Sequence, residues 1–255
     1  MIRNGKNTIG FMRAALTCSI ALCSLSVAAI EPDWYSYDEL LQQSVAPARA
    51  RDIDFNGVDY AALRQSGKLQ AIIRQLESYP LDKLANSSER LAFYINAYNI
   101  FTINLIVQNY PVESIRDLGS WWSPVWETTV GSLGGEPVTL DQIEHDILRN
   151  MGEPRIHFAI VCASLSCPDI RAEAYRANEL DVQLNDQARA FLANEQKGLR
   201  LEGETARVSK IFSWFEEDFE SLGGVAKFIA QYQDLPDTVK VRANLNYDWQ
   251  LNDKP

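Results

Sequence analysis

A continuous apolar segment in the middle of the chain constrains the fold more than any other feature. It reads LAFYINAYNIFTINLIV and lies within a predicted helix from Ser87 to Asn109. Asn86 and Glu89 are placed as a capping pair at the start of this helix. A helix that is apolar on every face is normally buried in a protein core or spans a membrane. At seventeen residues, with three asparagines, the segment is predicted to be a central core helix.

The predicted elements around this helix favour an α+β fold in a single domain. Helices dominate the N-terminal half, and later strands form hairpins, one turning at Gly134-Gly135 and another over GLRLEGETARVS. A buried strand is predicted over RIHFAIVC, so the central helix is expected to pack on a mostly antiparallel sheet. Thr139 and Gln142 form a predicted capping box for the helix LDQIEHDILRN.

The N-terminus has the pattern of a secretory signal. Three basic residues precede the short apolar stretch AALTCSIALCSLSVAA, which ends in small residues suited to cleavage. We expect residues 1–28 to be a signal peptide and the protein to be periplasmic or secreted, with no integral membrane domain after cleavage. An uncleaved anchor is the alternative. Residues 29–83 are expected to form an N-terminal helical extension packed on a domain of residues 84–251.

The charge of the chain excludes one class of partner. The formal charge is −10, and residues 1–28 carry three basic and no acidic residues, which puts the mature protein at −13. Such a surface repels phosphate backbones, and the sequence has no basic stripe with interleaved aromatic residues. We therefore expect a small-molecule or peptide substrate and no nucleic acid partner.

The residues best suited to chemistry are two histidines and two cysteines, all between His145 and Cys167. Pro168 suits a first helical position, which predicts that Cys167 lies at a helix N-terminus, where a thiolate is stabilised. In a regular strand, His157 and Cys162 point to opposite faces. We therefore interpret Cys167 as the better nucleophile and His157 as its base.

Two alternatives concern the same cysteines. A disulfide between Cys162 and Cys167 is favoured by an oxidising compartment. Zinc ligation by both cysteines and both histidines is disfavoured, because the spacing is not that of a known zinc knuckle and strand alternation separates the side chains. We expect no metal and no cofactor.

Further polar residues complete the candidate site. Asn96 and Asn99 share one face of the central helix, either as structural amides that tie a neighbouring segment to it or as groups that orient the histidine or an oxyanion. The candidates for substrate binding are Arg149, Arg155, Glu144 and His145. Structural ion pairs are the alternative for the two arginines. Asp248 is interpreted as a turn cap or as the third member of a triad.

Five segments resemble, in order, the domain of unknown function family 547: LAFYINAYNIFTINLIV, LDQIEHDILR, PRIHFAIVCASLSCPDI, VSKIFSWFEEDF and YDWQLN. The resemblance runs from about Leu84 to Leu251, and its IEH-x-x-LR and HFA-x-x-C-x-S-x-SCP elements together are specific. It implies no established activity, and bacterial members of the family are often exported. The family's motif residues correspond here to Asn96, Asn99, Glu144, His145, Arg149, His157, Cys162, Cys167 and Pro168.

The resemblance implies a site more than a packing motif, because these residues are polar or carry thiols. A central helix followed by a histidine-bearing strand is also similar to papain-like and transglutaminase-like folds, although those place the cysteine on the helix. Our functional hypothesis is a thiol-dependent hydrolase or acyl transferase in which Cys167 attacks and His157 activates it. The alternative is a non-enzymatic binding or scaffold module with a Cys162–Cys167 disulfide.

Overall fold

The computed structural model describes Met1 and residues 32–120, 122–236 and 238–254. The predicted signal peptide therefore lies outside the described residues, apart from Met1. The helices are α1 (Tyr35–Ser44), α2 (Tyr60–Ser66), α3 (Lys68–Glu77), α4 (Ser87–Asn109), α5 (Leu180–Ala193), α6 (Ile211–Trp214) and α7 (Val225–Ile229). The strands are β1 (Val45–Ala50), β2 (Ile53–Val58), β3 (Thr129–Leu133), β4 (Glu136–Thr139), β5 (Leu199–Glu202), β6 (Thr205–Val208) and β7 (Lys240–Ala243). This content confirms the predicted α+β class.

The strands of the described residues form three small sheets instead of one. β1 pairs with β2 and β3 with β4, while the third sheet has the order β5-β6-β7. All pairs are antiparallel except β6 with β7. Both predicted later hairpins are confirmed, and Gly134 and Gly135 turn the first of them with positive φ values of 61° and 87°. The central helix therefore packs against α2, α3, the helical segment Gln142–Leu148 and strand β3, and not on one sheet.

The β1-β2 hairpin was not predicted, since residues 29–83 were expected to form a helical extension. Its turn uses Arg51 and Asp52 at positive φ (49° and 63°), the conformation that two-residue hairpin loops require but that normally selects Asn or Gly. Pro47 lies within β1 and pairs with Asn56. Neither the turn residues nor a proline-containing strand is a recognisable hairpin signal.

Helix α4 lies at the centre of the molecule, and its predicted bounds are confirmed. The Asn86 side chain accepts a hydrogen bond from the Glu89 backbone N–H (3.0 Å), and Asn86 Nδ2 donates to the Glu89 carboxylate (2.7 Å). Among the described residues, α4 is the one helix long and apolar enough to cross a bilayer, and 89% of its apolar window is buried inside the protein. The large core around it includes Phe101, Ile143 and Val161.

A second, smaller core lies beside the first. Phe158 is fully buried there against rings that include Phe212 and Phe228, and α5 and the β5-β6-β7 sheet contribute the surrounding apolar residues. Ile156 and Ala159, which lie close to Phe158 in sequence, belong instead to the core around α4. The segment that carries His157 therefore runs along the boundary between the two cores.

Candidate active site

The segment that carries His157 is not a strand, so this prediction was wrong. Pro154–Phe158 is a 3-10 helix, and the chain then continues to Cys167 without further regular structure. Pro154 occupies the first helical position, and the Glu153 carboxylate accepts from the Arg155 backbone N–H (3.0 Å). The segment is buried as predicted, but a short apolar run does not distinguish a buried strand from a buried helical turn.

The loop from Cys162 to Cys167, here called the cysteine loop, is held from one side by α4. The Asn99 amide donates to the Ala159 carbonyl (3.0 Å), and its side-chain oxygen accepts from the Val161 backbone N–H (2.9 Å). Asn99 is buried, so these two bonds replace the ladder partners that a strand would have had. This amide thereby fixes the backbone that leads directly into Cys162.

The C-terminal segment holds the cysteine loop from the other side. The backbone N–H of Leu165 donates to the Gln250 carbonyl (2.9 Å), and that of Asn252 donates to the Ala163 carbonyl (3.2 Å). Ala163 is buried and has φ 54°, a left-handed conformation that is uncommon for a residue with a Cβ. The pairing with the C-terminal segment keeps the loop in this conformation and brings Tyr247 to Cys162.

Cys162 and Cys167 are free thiols in the described part of the chain, with their sulfurs 2.8 Å apart. The structure therefore lacks the disulfide on which the scaffold alternative depends. Cys162 is half-buried and Cys167 fully buried. The Cys162 sulfur also lies 3.2 Å from Tyr247 Oη and 3.3 Å from Ser164 Oγ, so three hydrogen-bonding side chains surround it.

These surroundings separate the pKa values of the two thiols. Burial opposes ionisation of Cys162, but hydrogen bonds from Cys167, Ser164 and Tyr247 outweigh it and lower its pKa to about 7. Burial and the neighbouring Cys162 raise the pKa of Cys167 well above its ordinary value. The geometry therefore favours Cys162 as the thiolate, in contrast to the sequence-based preference for Cys167.

The premise of that preference was wrong. Pro168 begins no helix, since residues 168–171 lie outside regular elements and the next helix, α5, starts only at Leu180. Cys167 thus has no helix N-terminus to stabilise a thiolate. It accepts a hydrogen bond from the Cys162 backbone N–H (2.8 Å).

His157 belongs to a chain of hydrogen-bonded polar groups next to the cysteine loop. Its Nε2 lies 2.7 Å from Oδ2 of Asp218, whose two oxygens also bind Nε and Nη2 of Arg149 at 2.7 and 2.8 Å. Arg149 Nη1 in turn lies 2.8 Å from Nδ1 of His145. The His157 ring stacks on Phe215, with centroids 4.0 Å apart. Orientation and tilt of the imidazole are therefore both fixed.

The pKa values of Asp218 and His157 are both lowered, but for different reasons. Partial burial opposes ionisation of Asp218, but hydrogen bonds from His157 and Arg149 hold its pKa well below the usual range. Burial lowers the pKa of His157, and its bond to Asp218 counteracts this only in part. His157 is thus neutral near pH 7, with Nε2–H donating to Asp218 and Nδ1 as the free acceptor.

Glu144 faces that free nitrogen. Its Oε1 lies 4.0 Å from His157 Nδ1, and its Oε2 accepts from the Tyr98 hydroxyl at 3.2 Å. Glu144 lies on a π-helix, Gln142–Leu148, which begins at the predicted capping box. Thr139 Oγ1 accepts from the Gln142 backbone N–H (3.1 Å), and Gln142 Oε1 accepts from the Thr139 backbone N–H (3.0 Å). Burial raises the pKa of Glu144 to about 7 despite the Tyr98 bond.

One cavity of about 340 Å³ joins these groups. Glu144, His145 and His157 line it together with both cysteines. Side chains from both cores form its walls, for example Tyr98 and Ile160 on one side and Phe215 on the other. The volume lies in the range of small-ligand sites. A thiol of lowered pKa and a carboxyl group of raised pKa thus open onto the same cavity.

The remaining predicted site residues lie outside this cavity. Asn96 exchanges two hydrogen bonds with the backbone of Tyr175, both 2.9 Å. Asn96 and Asn99 therefore both tie chain segments to the central helix.

Arg155 binds Glu153 through two nitrogens and reaches Asp181 at 2.8 Å. Asp248 Oδ1 accepts from the Gln250 backbone N–H (2.9 Å), as a turn cap does. Arg149 is bound to Asp218, so both arginines form structural ion pairs.

Three residues of the site were not identified from the sequence: Ser164, Asp218 and Tyr247. All three lie in segments that resemble the family. Asp218 follows Glu216 and Glu217, which are exposed, whereas Asp218 is half-buried. A single sequence gives no sign of which of three consecutive acids turns inward.

Among the described residues, no group of three or more His, Cys, Asp or Glu side chains has the arrangement of a metal site.

Comparison with known proteins agrees with the resemblance over part of the chain. Residues 81–192 match the model of a family described as "Protein of unknown function, DUF547". This match spans α4, the π-helix with Glu144, the cysteine loop and α5. No curated protein and no solved structure matches the chain.

Proposed function

We propose that this protein is a thiol-dependent hydrolase or acyl transferase in which Cys162 is the nucleophile. The observation that carries the proposal is the position of the Cys162 sulfur, which is open to the cavity and surrounded by Cys167, Tyr247 and Ser164 at 2.8, 3.2 and 3.3 Å. Donors at these positions stabilise the thiolate, which is the reactive form of cysteine.

The proposed reaction has two stages. The Cys162 thiolate attacks the carbonyl carbon of an ester, thioester or amide, and the leaving group departs with a proton from the Glu144 carboxyl group. The acyl group is then transferred from Cys162 to water or another acceptor, whose proton returns to Glu144. A carboxyl pKa of about 7 suits both directions of proton transfer near neutral pH.

His157 and Asp218 act on this step through Glu144. The Nδ1 lone pair of His157, 4.0 Å from Glu144 Oε1, can accept a hydrogen bond from the carboxyl proton after a small movement and so orient that proton. Asp218 holds the opposite ring nitrogen, as the aspartate of a catalytic triad does. Asn99 is a positioning residue, because it touches only the backbone that leads into Cys162.

The test is acylation of the enzyme by p-nitrophenyl acetate. We expect an initial burst of p-nitrophenol and an acetyl group on the Cys162 peptide by mass spectrometry. The burst should be lost in Cys162→Ala and retained in Cys167→Ser. Acylation that persists in Cys162→Ala, or that is found on Cys167, would refute the assignment. Circular dichroism of each variant checks that it is folded.

A second candidate function is thiol–disulfide exchange, favoured by the 2.8 Å separation of the two sulfurs. The Cys162 thiolate would attack a substrate disulfide and release one thiolate. Cys167, after losing its proton, would attack the Cys162 sulfur and release the second. The substrate gains two electrons and the cysteine pair becomes a disulfide. Incubation with glutathione disulfide tests this: the wild type should form the internal disulfide, and Cys167→Ser should stop at a mixed disulfide on Cys162.

We also propose that the protein is exported, with a mature chain that begins near Ala29. The support is the signal-like sequence of residues 1–28. N-terminal sequencing of protein recovered outside the cytoplasm should find Ala29, give or take one residue. Recovery with Met1 in place would refute cleavage.

A further inference from the structure

We propose that the cavity binds an organic cation, such as a substituted ammonium group, between an aromatic wall and a set of carboxylates. The proposed cation is a substrate class for the acyl-transfer site. Only the word substrate rests on the proposed function. The binding itself is independent of the thiol chemistry.

The aromatic wall consists of three rings in mutual contact. The ring centroids of Trp214 and Tyr247 are 4.8 Å apart, and Trp249 lies 4.8 Å from Tyr247 and 5.8 Å from Trp214. Trp126 approaches Trp249 edge-on at 5.7 Å. All four side chains line the cavity, and Trp214 is 46% exposed. So much accessible aromatic surface around one cavity provides π faces for a ligand as well as apolar area.

The cavity lining is rich in carboxyl groups. It includes those of Glu127, Asp141 and Glu144 besides the imidazoles of His145 and His157, and none of the described lining residues is lysine or arginine. The Arg149 guanidinium, which lies beside the cavity over the Phe215 ring, is bound to Asp218 at two points. An anionic ligand would therefore meet carboxylates without a cationic partner, whereas a cation would be attracted by them.

Two arginines of the chain already lie over aromatic rings of the cavity lining. The Arg116 guanidinium lies over the Trp249 ring, 5.3 Å from its centroid, and that of Arg149 lies 5.4 Å from the centroid of Phe215. Arg116 approaches from a neighbouring cleft and does not line the cavity. Cation–π attraction, carboxylates and a volume of about 340 Å³ together fit a small ammonium compound.

The test is a tryptophan fluorescence titration with choline and with its neutral isostere 3,3-dimethyl-1-butanol. Cys162→Ser is used, so that no acylation occurs. We expect choline to bind about tenfold more tightly than the isostere, the ratio that a desolvated cation–π contact supports. Equal affinities would overturn the proposal, because the site would then recognise only shape.

Two variants locate the binding. Trp214→Leu should weaken choline binding several-fold, while Trp122→Leu, which removes a 90% exposed ring outside the cavity, should not change it. Equal effects of the two variants would overturn the site. Choline binding without an acylation burst in the wild type would refute the proposed function and leave the cation site standing. An acylation burst without selectivity for choline would refute the cation site and leave the proposed function standing.

Discussion

At the scale of single residues, the reactivity of Cys162 depends on its hydrogen-bond donors. Removing the Tyr247 hydroxyl with Tyr247→Phe keeps the ring but deletes one donor to the sulfur. We expect the pKa of Cys162, measured from alkylation rates against pH, to rise towards the ordinary thiol range. Tyr232→Phe is the matched control, since that hydroxyl binds Asn185. An unchanged Cys162 profile in Tyr247→Phe would show that the hydroxyl does not stabilise the thiolate.

Single residues were also where sequence reasoning was least complete. It selected His157, Glu144 and both cysteines, because their chemistry is visible in the residue type. It ranked the cysteines in the opposite order to the geometry, since the ranking depended on a helix start at Pro168 that does not exist. Asp218 and Tyr247 come from distant segments, and only the folded chain brings them to the site.

At the scale of elements, α4 positions the site through its buried asparagines. Asn99→Leu leaves the Ala159 carbonyl and the Val161 N–H without their partner, and Asn96→Leu does the same to the backbone of Tyr175. We expect each substitution to lower the free energy of unfolding by roughly 1–3 kcal/mol in denaturant melts.

The two variants should differ in their effect on the thiol. Asn99 contacts the segment before Cys162, whereas Asn96 contacts Tyr175. We therefore expect the alkylation rate of Cys162 to change in Asn99→Leu and to stay near the wild-type value in Asn96→Leu. Equal changes in both would mean that reactivity follows general stability instead of the position of this segment.

Elements with a local signal were predicted well. Helix α4 and both capping motifs follow from sequence patterns within a few residues, and the hairpin at Gly134-Gly135 from its turn residues. The segment from Pro154 to Cys162 was misassigned because its long-range hydrogen-bond partners are side chains, Asn99 of α4 and Gln187 of α5. Such partners are distant in sequence, so local periodicity carries no sign of them.

At the scale of the whole molecule, the buried Glu144 carboxyl group makes stability depend on pH. Its pKa is raised from 4.5 to about 7 on folding. Between these values the folded state binds more protons than the unfolded state, so stability falls as pH rises through this range. The penalty is absent near pH 4 and complete near pH 8.

Glu144→Gln removes this penalty, because the amide is neutral and its oxygen still accepts from Tyr98. We expect the variant to be more stable than the wild type at pH 8, by at most about 3 kcal/mol, and no more stable at pH 4. Thermal melts across this range measure the difference. The same variant should keep the acylation burst, since p-nitrophenolate leaves without a proton, but should turn over more slowly after it, because the amide cannot take the proton of the attacking water. Such a loss of activity with a gain in stability is expected where an active site reduces stability. A stability difference independent of pH would contradict the raised pKa.

The central claim is that Cys162 is the activated thiol, and its direct test is alkylation of the native wild-type protein by iodoacetamide as a function of pH. Peptide mapping resolves the two sites. We expect Cys162 to be labelled first, with a midpoint near pH 7, and Cys167 to stay unreactive until well above the ordinary pH range of thiol ionisation. Faster labelling of Cys167, or a Cys162 midpoint near the ordinary thiol pKa of about 8.5, would contradict it.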